Sequence, residues 1–277
     1  MVELTVSFLK LFIGENLLMD KHQQFKQEVA QNIRSLGEKS SLKTQSYKWI
    51  EDTAADNYTY NFSWLGRPII QVPQDMVAMQ ELIWDIKPDL IIETGIAHGG
   101  SIIFSASMLA QLDMCEAIES GELIDPKKSK RKVLAVDIDI REHNRQAIDD
   151  HPMASRIEMI QGSSIDPDIV NKVKAFAKQY SRIMVCLDSN HTHEHVLAEL
   201  EAYANLTSVG SYCVVFDTVI EDMPDTLFPN RPWGPGDNPK TAVWEYIKSH
   251  PEFEIDKSIH DKLLITVAPD GFLKRLK

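Results

Sequence analysis

Two aspartates stand where apolar, strand-like runs of the chain end. Asp188 follows the run 183–187, and Asp217 follows the run 210–216. Because neighbouring parallel strands end at the same edge of a sheet, both carboxylates are expected to lie there together. Paired carboxylate oxygens suit a hard cation such as Mg²⁺, which keeps several of its waters. The pattern predicts a magnesium site, and the alternative is that Asp188 only caps the helix that follows.

Histidines recur at every other position after Asp188, at His191, His193 and His195. A neutral imidazole at His191 could take the proton of a hydroxyl whose pKa a cation lowers. Its alternative role is to cap and orient the following helix. A helix that starts near Thr192 would spread the three rings around its axis, which disfavours a three-histidine zinc site. Asp188, His191 and His193 have the ligand types of a non-haem iron site, but the strand-edge position argues against one.

A glycine-rich turn follows an earlier apolar run, Leu90–Ile92. Gly95, Gly99 and Gly100 allow a sharp turn and let a ligand approach main-chain N–H groups. This is the first strand–turn–helix unit of a doubly wound nucleotide site, but three residues separate Gly95 from Gly99, unlike the G-x-G-x-x-G fingerprint. A carboxylate at Glu93 would repel a pyrophosphate and suits a positively charged ligand. The alternative is a turn that only connects two elements.

Three more polar residues border the same predicted pocket. Ser101 could cap or line the start of the helix after the turn. Asp137 ends the buried run Val133–Val136, where an acidic side chain can bind a ribose hydroxyl; a solvent-exposed strand end is the alternative. Ser163 lies in a Gly-Ser turn after the next strand, a place that commonly edges an adenine pocket in such folds.

Apolar runs alternate with helical patterns along most of the chain, which predicts an α/β fold with a Rossmann-like, doubly wound, mostly parallel sheet. Pro73 to Ile86 reads as a helix, and residues 253–256 and 263–268 read as the final strands. Pro224 to Pro239 is a long irregular loop. Such loops are often binding loops, so Trp233 and Arg231 could contact a substrate, although a passive surface loop is the alternative.

The N-terminal part differs from the rest. Residues 4–36 carry two helical patterns, residues 37–57 are polar and predicted to be a linker, and residues 58–68 are rich in aromatics that could roof a pocket or form a hairpin. We therefore divide the chain into a helical extension with its linker, 1–57, and a main domain, 58–277. The extension is expected to be a structural appendage, and a homo-oligomer formed through its helices is the alternative.

Composition limits the classes of partner. The 277 residues carry a net charge of −12, which disfavours nucleic acid. Cys115, Cys186 and Cys213 lack metal-ligand spacing, so we expect reduced thiols and a cytoplasmic protein. No apolar stretch is expected to span a membrane, and residues 2–18 make a poor signal peptide.

From about Tyr60 to the C-terminus the chain resembles the bacterial cephalosporin hydroxylase family, whose fold is that of an S-adenosylmethionine-dependent O-methyltransferase. The first motif, E-T-G-x-x-x-G-G-S, is similar to the turn that holds a sulfonium amino acid in such enzymes. The matching segments are I-E-T-G-I-A-H-G-G-S, V-D-I-D, G-S-S, L-D-S-N-H, D-T and G-P-G-D-N-P-K-T-A-V.

The resemblance implies a seven-stranded class I methyltransferase sheet and a set of site residues. His191 stands where catechol-type enzymes have a lysine base, and Thr218 where they have an asparagine metal ligand. Phe216 departs from the family, which can have an acid there, so Glu221 or water would complete the metal shell. The implied cofactor-binding residues are Glu93, Thr94, Gly95, Gly99, Ser101, Asp137, Ser163 and Asp188; the implied metal ligands are Asp188, Asp217, Thr218 and Glu221.

The combined reading is an O-methyltransferase that uses S-adenosylmethionine and Mg²⁺ on a hydroxyl of a sugar, a glycan or a secondary metabolite. Asp188 and His191 would be its catalytic residues. An NAD(P)-dependent oxidoreductase is the alternative enzyme, disfavoured by Glu93 and by the glycine spacing. A non-catalytic binding protein that retains the fold is the alternative of another class, and Phe216 keeps it open.

Overall fold

The computed structural model describes residues 2–277, with side chains from Asp20 onward. Nine α-helices and nine β-strands are assigned within these residues. The helices are α1 (Val2–Gly37), α2 (Ser40–Ala54), α3 (Pro73–Ile86), α4 (Gly100–Ser120), α5 (Glu142–Asp149), α6 (Pro167–Ala177), α7 (His193–Tyr203), α8 (Pro239–Ser249) and α9 (Lys257–Leu263).

Seven strands form one central sheet, and two short strands form a separate antiparallel hairpin. The hairpin is β1 (Phe62–Trp64) and β2 (Arg67–Ile69). The sheet strands are β3 (Leu90–Thr94), β4 (Lys132–Asp137), β5 (Ile157–Gln161), β6 (Ile183–Leu187), β7 (Tyr212–Val215), β8 (Phe253–Ile255) and β9 (Phe272–Arg275).

The sheet order is β5-β4-β3-β6-β7-β9-β8. Pairing is parallel from β5 to β7, and β9 runs antiparallel to both of its neighbours. This confirms the predicted α/β class and the mostly parallel seven-stranded sheet. The last two strands, β8 and β9, pair antiparallel, and α9 lies between them in the chain.

Both faces of the sheet are covered, which explains why its strands are continuous apolar runs. Ile91 and Met184 belong to the core that α3 and α4 cover, whereas Leu90 and Ile92 belong to the core on the other face. Successive side chains of a strand point to opposite faces, so one run serves both cores.

The strand register brings the predicted site residues to one edge. Thr94 pairs with Val136 on one side and with Leu187 on the other, and Leu187 pairs with Val215. The residues that follow these strand ends therefore line the carboxyl edge of the sheet, where ligands bind in open α/β folds.

Residues 37–57 are not a linker, as the sequence analysis predicted, but mostly helix α2. The helix is polar because much of its surface faces solvent, where Lys48 pairs with Asp52. Tyr47 and Ile50 pack against the core on the α3 and α4 face. Their spacing of three residues is the helical signal that the polar composition obscured. The division of the chain at residue 57 stays a prediction.

Residues 263–268 are not a strand either. The chain leaves α9 through Leu264, whose φ is 61°. The N–H of Val267 then donates to the Asp75 carboxylate at 2.9 Å, and the N–H of Ala268 donates to the hydroxyl of Thr266 at 2.9 Å. Side chains thus take the backbone bonds that a ladder would use, so this apolar run is a buried loop.

Helix α4 corrects the expectation about apolar stretches. By length and composition it is apolar enough to cross a membrane, and half of its apolar window is buried within the protein. Ile102, Ile103 and Leu109 are fully buried. Its apolar composition therefore reflects its place as a core helix behind the glycine-rich turn.

Candidate active site at the carboxyl edge of the sheet

Asp188, His191 and Asp217 converge at this edge. Each offers one ligand atom, and the three atoms lie within 4.8 Å of one another. The Nε2 of His191 lies 3.2 Å from a carboxylate oxygen of Asp217. Asp217 has a φ of 55°, a left-handed conformation that costs energy for a residue with a side chain and is found at functional sites. We call these three residues the acidic cluster.

The acidic cluster has the electrostatics of a cation site. Burial, followed by the charges of Asp217, Glu93 and Glu199, raises the pKa of Asp188 well above its usual range. A cation held between Asp188 and Asp217 would offset that repulsion. Two carboxylates fit Mg²⁺, and the imidazole is available either as a third ligand or as a base.

The other two histidines point elsewhere, as the helical spacing predicted. His193 contacts α8, with its Nδ1 2.8 Å from the Thr241 hydroxyl and its Nε2 3.3 Å from Glu245. His195 lies 3.1 Å from the hydroxyl of Ser164. Neither ring belongs to the acidic cluster, so the structure gives no support to an iron site that uses His193.

Two predicted metal ligands do not join the cluster. The hydroxyl of Thr218 is buried and donates to the carbonyl of Pro269 at 2.6 Å. Glu221 accepts from the N–H of Gly236 at 2.7 Å and from the side chain of Asn238. Both side chains thus have hydrogen-bond partners outside the cluster, and their assignment as metal ligands stays a prediction. Glu221 instead anchors the long loop after it.

The glycine-rich turn needs its glycines for space as well as for conformation. Gly95 has a φ of 90°, and a Cβ there would lie 2.0 Å from the carbonyl oxygen of Asp188. Gly99 has a φ of 84° and starts α4. A side chain at Gly95 would push the turn away from the acidic cluster, so the close approach of the two segments depends on this glycine.

Three predicted cofactor-binding residues, Glu93, Thr94 and Ser101, differ in whether they reach the cavity at the glycine-rich turn. Glu93 is buried and accepts a hydrogen bond from the Ser101 hydroxyl, and burial raises the pKa of Glu93 to about 7. Thr94 is fully buried, and its hydroxyl accepts from the N–H of Asp188 at 3.3 Å. Of the three, Ser101 alone lines the cavity at the turn. Glu93 therefore acts on that cavity through Ser101.

That cavity, the glycine-loop cavity, has a volume of about 220 Å³. The turn from Gly95 to Ser101 and the acidic cluster form its floor, and Thr59, Tyr60 and Gln71 close it from above. The aromatic segment at the start of the main domain thus both forms a hairpin and roofs a pocket, the two alternatives that its sequence left open.

A second cavity of about 120 Å³, the Asp137 cavity, continues from it past Gly95 and Ser189. Asp137 and Ser163 line it, as predicted. One oxygen of Asp137 accepts from the N–H of Ile96 at 2.7 Å. The carboxylate at the strand end thus also fixes the glycine-rich turn.

A third cavity, the aromatic cavity, adjoins the acidic cluster and has a volume of about 530 Å³. It shares His191 and Asp217 with the glycine-loop cavity. Trp233 lines it and packs edge-on against His191, with ring centroids 4.8 Å apart. Arg231 lies 5.2 Å from the Trp233 ring. The long loop therefore borders the site.

Sequence reasoning missed several residues of these cavities. Ser189 borders two of them and directly follows Asp188, so the strand-end argument that found Asp188 would also have found it. His195 lines the Asp137 cavity, and its position on the first turn of α7 was the available signal. Trp49 of α2 lines the aromatic cavity, and no pattern in the sequence connected it to the site.

Residues 56–276 match the model of the family described as rhamnosyl O-methyltransferase/CmcI. A rhamnosyl O-methyltransferase of Mycobacterium bovis (strain BCG / Pasteur) is 32% identical over 206 residues, which are 73% of this chain and 73% of that protein. One of Mycobacterium leprae (strain TN) is 28% identical over 237 residues, 85% of this chain and 91% of that protein. A solved structure described as CmcI with Mg and S-adenosylmethionine aligns with a TM-score of 0.49 at 15% identity, covering 79% of this chain and 78% of that one.

The family match and the rhamnosyl relatives confirm the resemblance, and they decide against the oxidoreductase alternative. The matched stretch contains the whole sheet, all three residues of the acidic cluster and the glycine-rich turn. The chain belongs to the rhamnosyl O-methyltransferase/CmcI family, and it is an S-adenosylmethionine-dependent O-methyltransferase.

Proposed function

We propose that the protein methylates a hydroxyl of a glycan or of a glycosylated small molecule, with Mg²⁺ held by Asp188 and Asp217. The observation that carries the proposal is the position of the acidic cluster, where the glycine-loop cavity and the aromatic cavity share His191 and Asp217. A methyl donor in the first cavity and an acceptor in the second would meet at these residues. The rhamnosyl relatives support a sugar hydroxyl as the acceptor.

Each site residue has a role in this proposal. When bound, S-adenosylmethionine supplies an electrophilic methyl group to the acceptor oxygen, and Mg²⁺ lowers the pKa of the acceptor hydroxyl. His191 accepts the proton of that hydroxyl on its imidazole, and Asp217, 3.2 Å away, stabilises the imidazolium that forms. The roof over the glycine-loop cavity limits the entry of water, and positioning supplies much of the rate.

The proposed cofactor-binding role of each residue is assigned from the cavity that the residue lines. Ser101 and the main-chain N–H groups of the turn would hold the amino-acid part of the cofactor, with Glu93 fixing Ser101 from behind. Asp137 would bind the ribose hydroxyls and Ser163 would edge the adenine.

Two further assignments are proposals. The three cysteines are free thiols, two of them buried, which supports a reducing compartment such as the cytoplasm. Phe25 and Val29 lie on one face of α1 and are 61% and 37% exposed, which supports association of two copies through this helix.

The first test measures binding and turnover separately. Calorimetry with S-adenosylhomocysteine and with NAD⁺ should give micromolar binding of the first ligand only. Methyl transfer from S-adenosylmethionine to an α-L-rhamnoside should then require Mg²⁺. Asp217→Asn should raise the Mg²⁺ concentration for half-maximal rate at least about ten-fold, because it removes a charged ligand. The exposed Glu194→Gln is the matched control and should leave that concentration unchanged.

The role of His191 is tested in the same assay. His191→Asn should lower kcat by about 10²–10⁴ without weakening S-adenosylhomocysteine binding, since it removes the base and leaves Ser101, Asp137 and Ser163, which would hold the cofactor, in place. His193→Gln should keep wild-type kcat, because His193 faces α8. Tight NAD⁺ binding, or equal losses in the two histidine variants, would count against the proposed function.

A further inference from the structure

Helix α2 lies outside the stretch that matches the family, yet it forms a wall of the aromatic cavity. The match begins at residue 56, and α2 spans Ser40–Ala54. Residues of its last turns line the cavity: Trp49, Ile50, Thr53 and Ala54. The role of this wall therefore rests on its own contacts and not on the family match.

The wall is held in place at several points. Lys43 pairs with Asp261 at 2.9 Å, which ties α2 to α9. Trp49 packs edge-on against Tyr58, with ring centroids 4.7 Å apart. Tyr47 packs into the core of the main domain. Trp49 is thus presented to the cavity from a fixed helix, which lowers the entropy cost of binding a group against it.

The remaining walls of the aromatic cavity are mostly apolar. They include Val219, Ile220, Met223 and Leu227 beside the aromatic side chains. Arg231 is the single arginine or lysine among the described residues that line the cavity, and its guanidinium lies over Trp233. Glu51 and Asp217 contribute negative charge. A pyrophosphate would need several donors and cations, so these walls suit an uncharged apolar group instead.

We propose that α2 is an acceptor-specificity element, in which Trp49 packs against an apolar group joined to the sugar that is methylated. The proposal rests on the proposed function, because it places the reacting sugar at the acidic cluster. It selects acceptors that carry an apolar substituent over free sugars, and it selects against sugars that carry a nucleoside diphosphate.

The test compares three acceptors on the full-length enzyme with saturating S-adenosylmethionine and Mg²⁺. They are methyl α-L-rhamnoside, 4-nitrophenyl α-L-rhamnoside and dTDP-L-rhamnose. We expect kcat/KM for the nitrophenyl acceptor to exceed that for the methyl acceptor at least about ten-fold, through KM, because burial of an aromatic ring against Trp49 favours binding. The nucleotide sugar should be the poorest of the three.

Substitutions at Trp49 separate this role from folding. Trp49→Ala should bring the ratio of the two rhamnosides close to one, through a higher KM for the nitrophenyl acceptor. Trp49→Phe should retain most of the ratio. Trp84→Ala, which removes an exposed tryptophan of α3 away from the cavity, is the matched control and should change nothing. Unchanged binding of S-adenosylhomocysteine verifies the fold of each variant.

A ratio that Trp49→Ala leaves unchanged would overturn the proposal, and so would a preference for dTDP-L-rhamnose. A second readout separates it from the proposed function. If neither rhamnoside is methylated, the proposed function fails; binding of the nitrophenyl rhamnoside to the enzyme loaded with S-adenosylhomocysteine then decides about α2. If Trp49→Ala weakens this binding about ten-fold, the role of α2 in acceptor specificity is supported. If Trp49→Ala leaves the binding unchanged, that role is overturned.

Discussion

Glu93 is an acid in surroundings that disfavour its charge. It stands near the end of β3, it is buried, and the Ser101 hydroxyl is the hydrogen-bond donor that it has. Burial raises its pKa from an ordinary 4.5 to about 7. In the ligand-free protein Glu93 is therefore largely protonated below pH 7, and the cationic amino-acid part of a cofactor would favour its charged form.

This gives a prediction for the dependence of stability on pH. The folded state holds the Glu93 proton more tightly than the unfolded chain does, so Glu93 lowers the free energy of unfolding as pH rises from about 4.5 to about 7. Glu93→Gln removes this loss. The free energy of unfolding of the variant minus that of wild type should be about 1–3 kcal/mol larger at pH 8 than at pH 4.5.

Thermal unfolding of the ligand-free protein at the two pH values, with a chelator present, measures this gain. Glu119→Gln, on an exposed position of α4, is the control and should show no such dependence on pH. The same difference between Glu93→Gln and wild type at both pH values would mean that Glu93 is charged in the folded protein.

Among single residues of the site, those at strand ends were predictable from the sequence. Asp188 and Asp217 were found because the topology of a parallel sheet fixes where a strand ends. Thr218 was assigned by its position in a family pattern, and Glu221 was offered because Phe216 leaves that pattern without an acid. The directions of both side chains depend on the left-handed turn at Asp217. A sequence pattern carries no signal for that turn, because an aspartate rarely adopts a positive φ.

Among the elements, the β1–β2 hairpin holds the glycine-rich turn from outside. The Nε of Arg67 donates to the carbonyl of His98 at 2.9 Å, and Asn144 donates to the carbonyl of Ala97 at 2.9 Å. Arg67 also donates to Asn144 at 3.0 Å. Ala97 has a φ of 44°, so the turn carries strain that these three bonds offset.

We therefore expect Arg67→Ala to weaken S-adenosylhomocysteine binding about ten-fold, since the turn loses the bonds that hold its binding conformation. Calorimetry at fixed Mg²⁺ measures the change. Arg141→Ala removes a cation that is mostly exposed near the same rim and should bind as wild type does. Adding Ala97→Gly to Arg67→Ala should restore part of the affinity, because glycine adopts a positive φ without strain. If Arg67→Ala binds S-adenosylhomocysteine as wild type does, the hairpin does not hold the binding conformation of the turn.

Elements differ in how far composition reveals them. Strand β6 was predicted with its observed bounds, because a buried parallel strand reads as a short apolar run. Helix α2 escaped prediction because most of its surface is polar. The run 263–268 was wrongly predicted to be a strand, because a loop buried against Asp75 is as apolar as a strand. Local composition indicates whether a segment is buried, whereas its backbone conformation also depends on tertiary hydrogen bonds.

On the scale of the whole molecule, α1 extends beyond the main domain. From Asp20 to Asn32 its side chains are exposed. Leu4, Leu11, Leu18 and Phe25 follow one another at intervals of seven residues, the spacing of a coiled-coil seam. Two copies that pair through this helix would cover Phe25 and Val29.

Light scattering coupled to size-exclusion chromatography should thus report a dimer. Phe25→Glu combined with Val29→Glu should make it a monomer, because charges in a seam repel across it. Gln24→Glu, an exposed position beside Phe25, should leave the mass unchanged. Micromolar binding of S-adenosylhomocysteine by the monomeric variant would show that the site is complete in one chain. A monomeric wild type would contradict association through α1.

The wall that α2 contributes also has an evolutionary meaning. The chemistry of methyl transfer resides in strand ends whose positions the sheet dictates, so those residues have little freedom to change. Helix α2 supplies none of these strand ends, so a change in its cavity-facing side chains can alter the acceptor without moving them. New acceptors would then arise by replacement of a short N-terminal segment, and grafting such segments between relatives is a route to redirecting the enzyme.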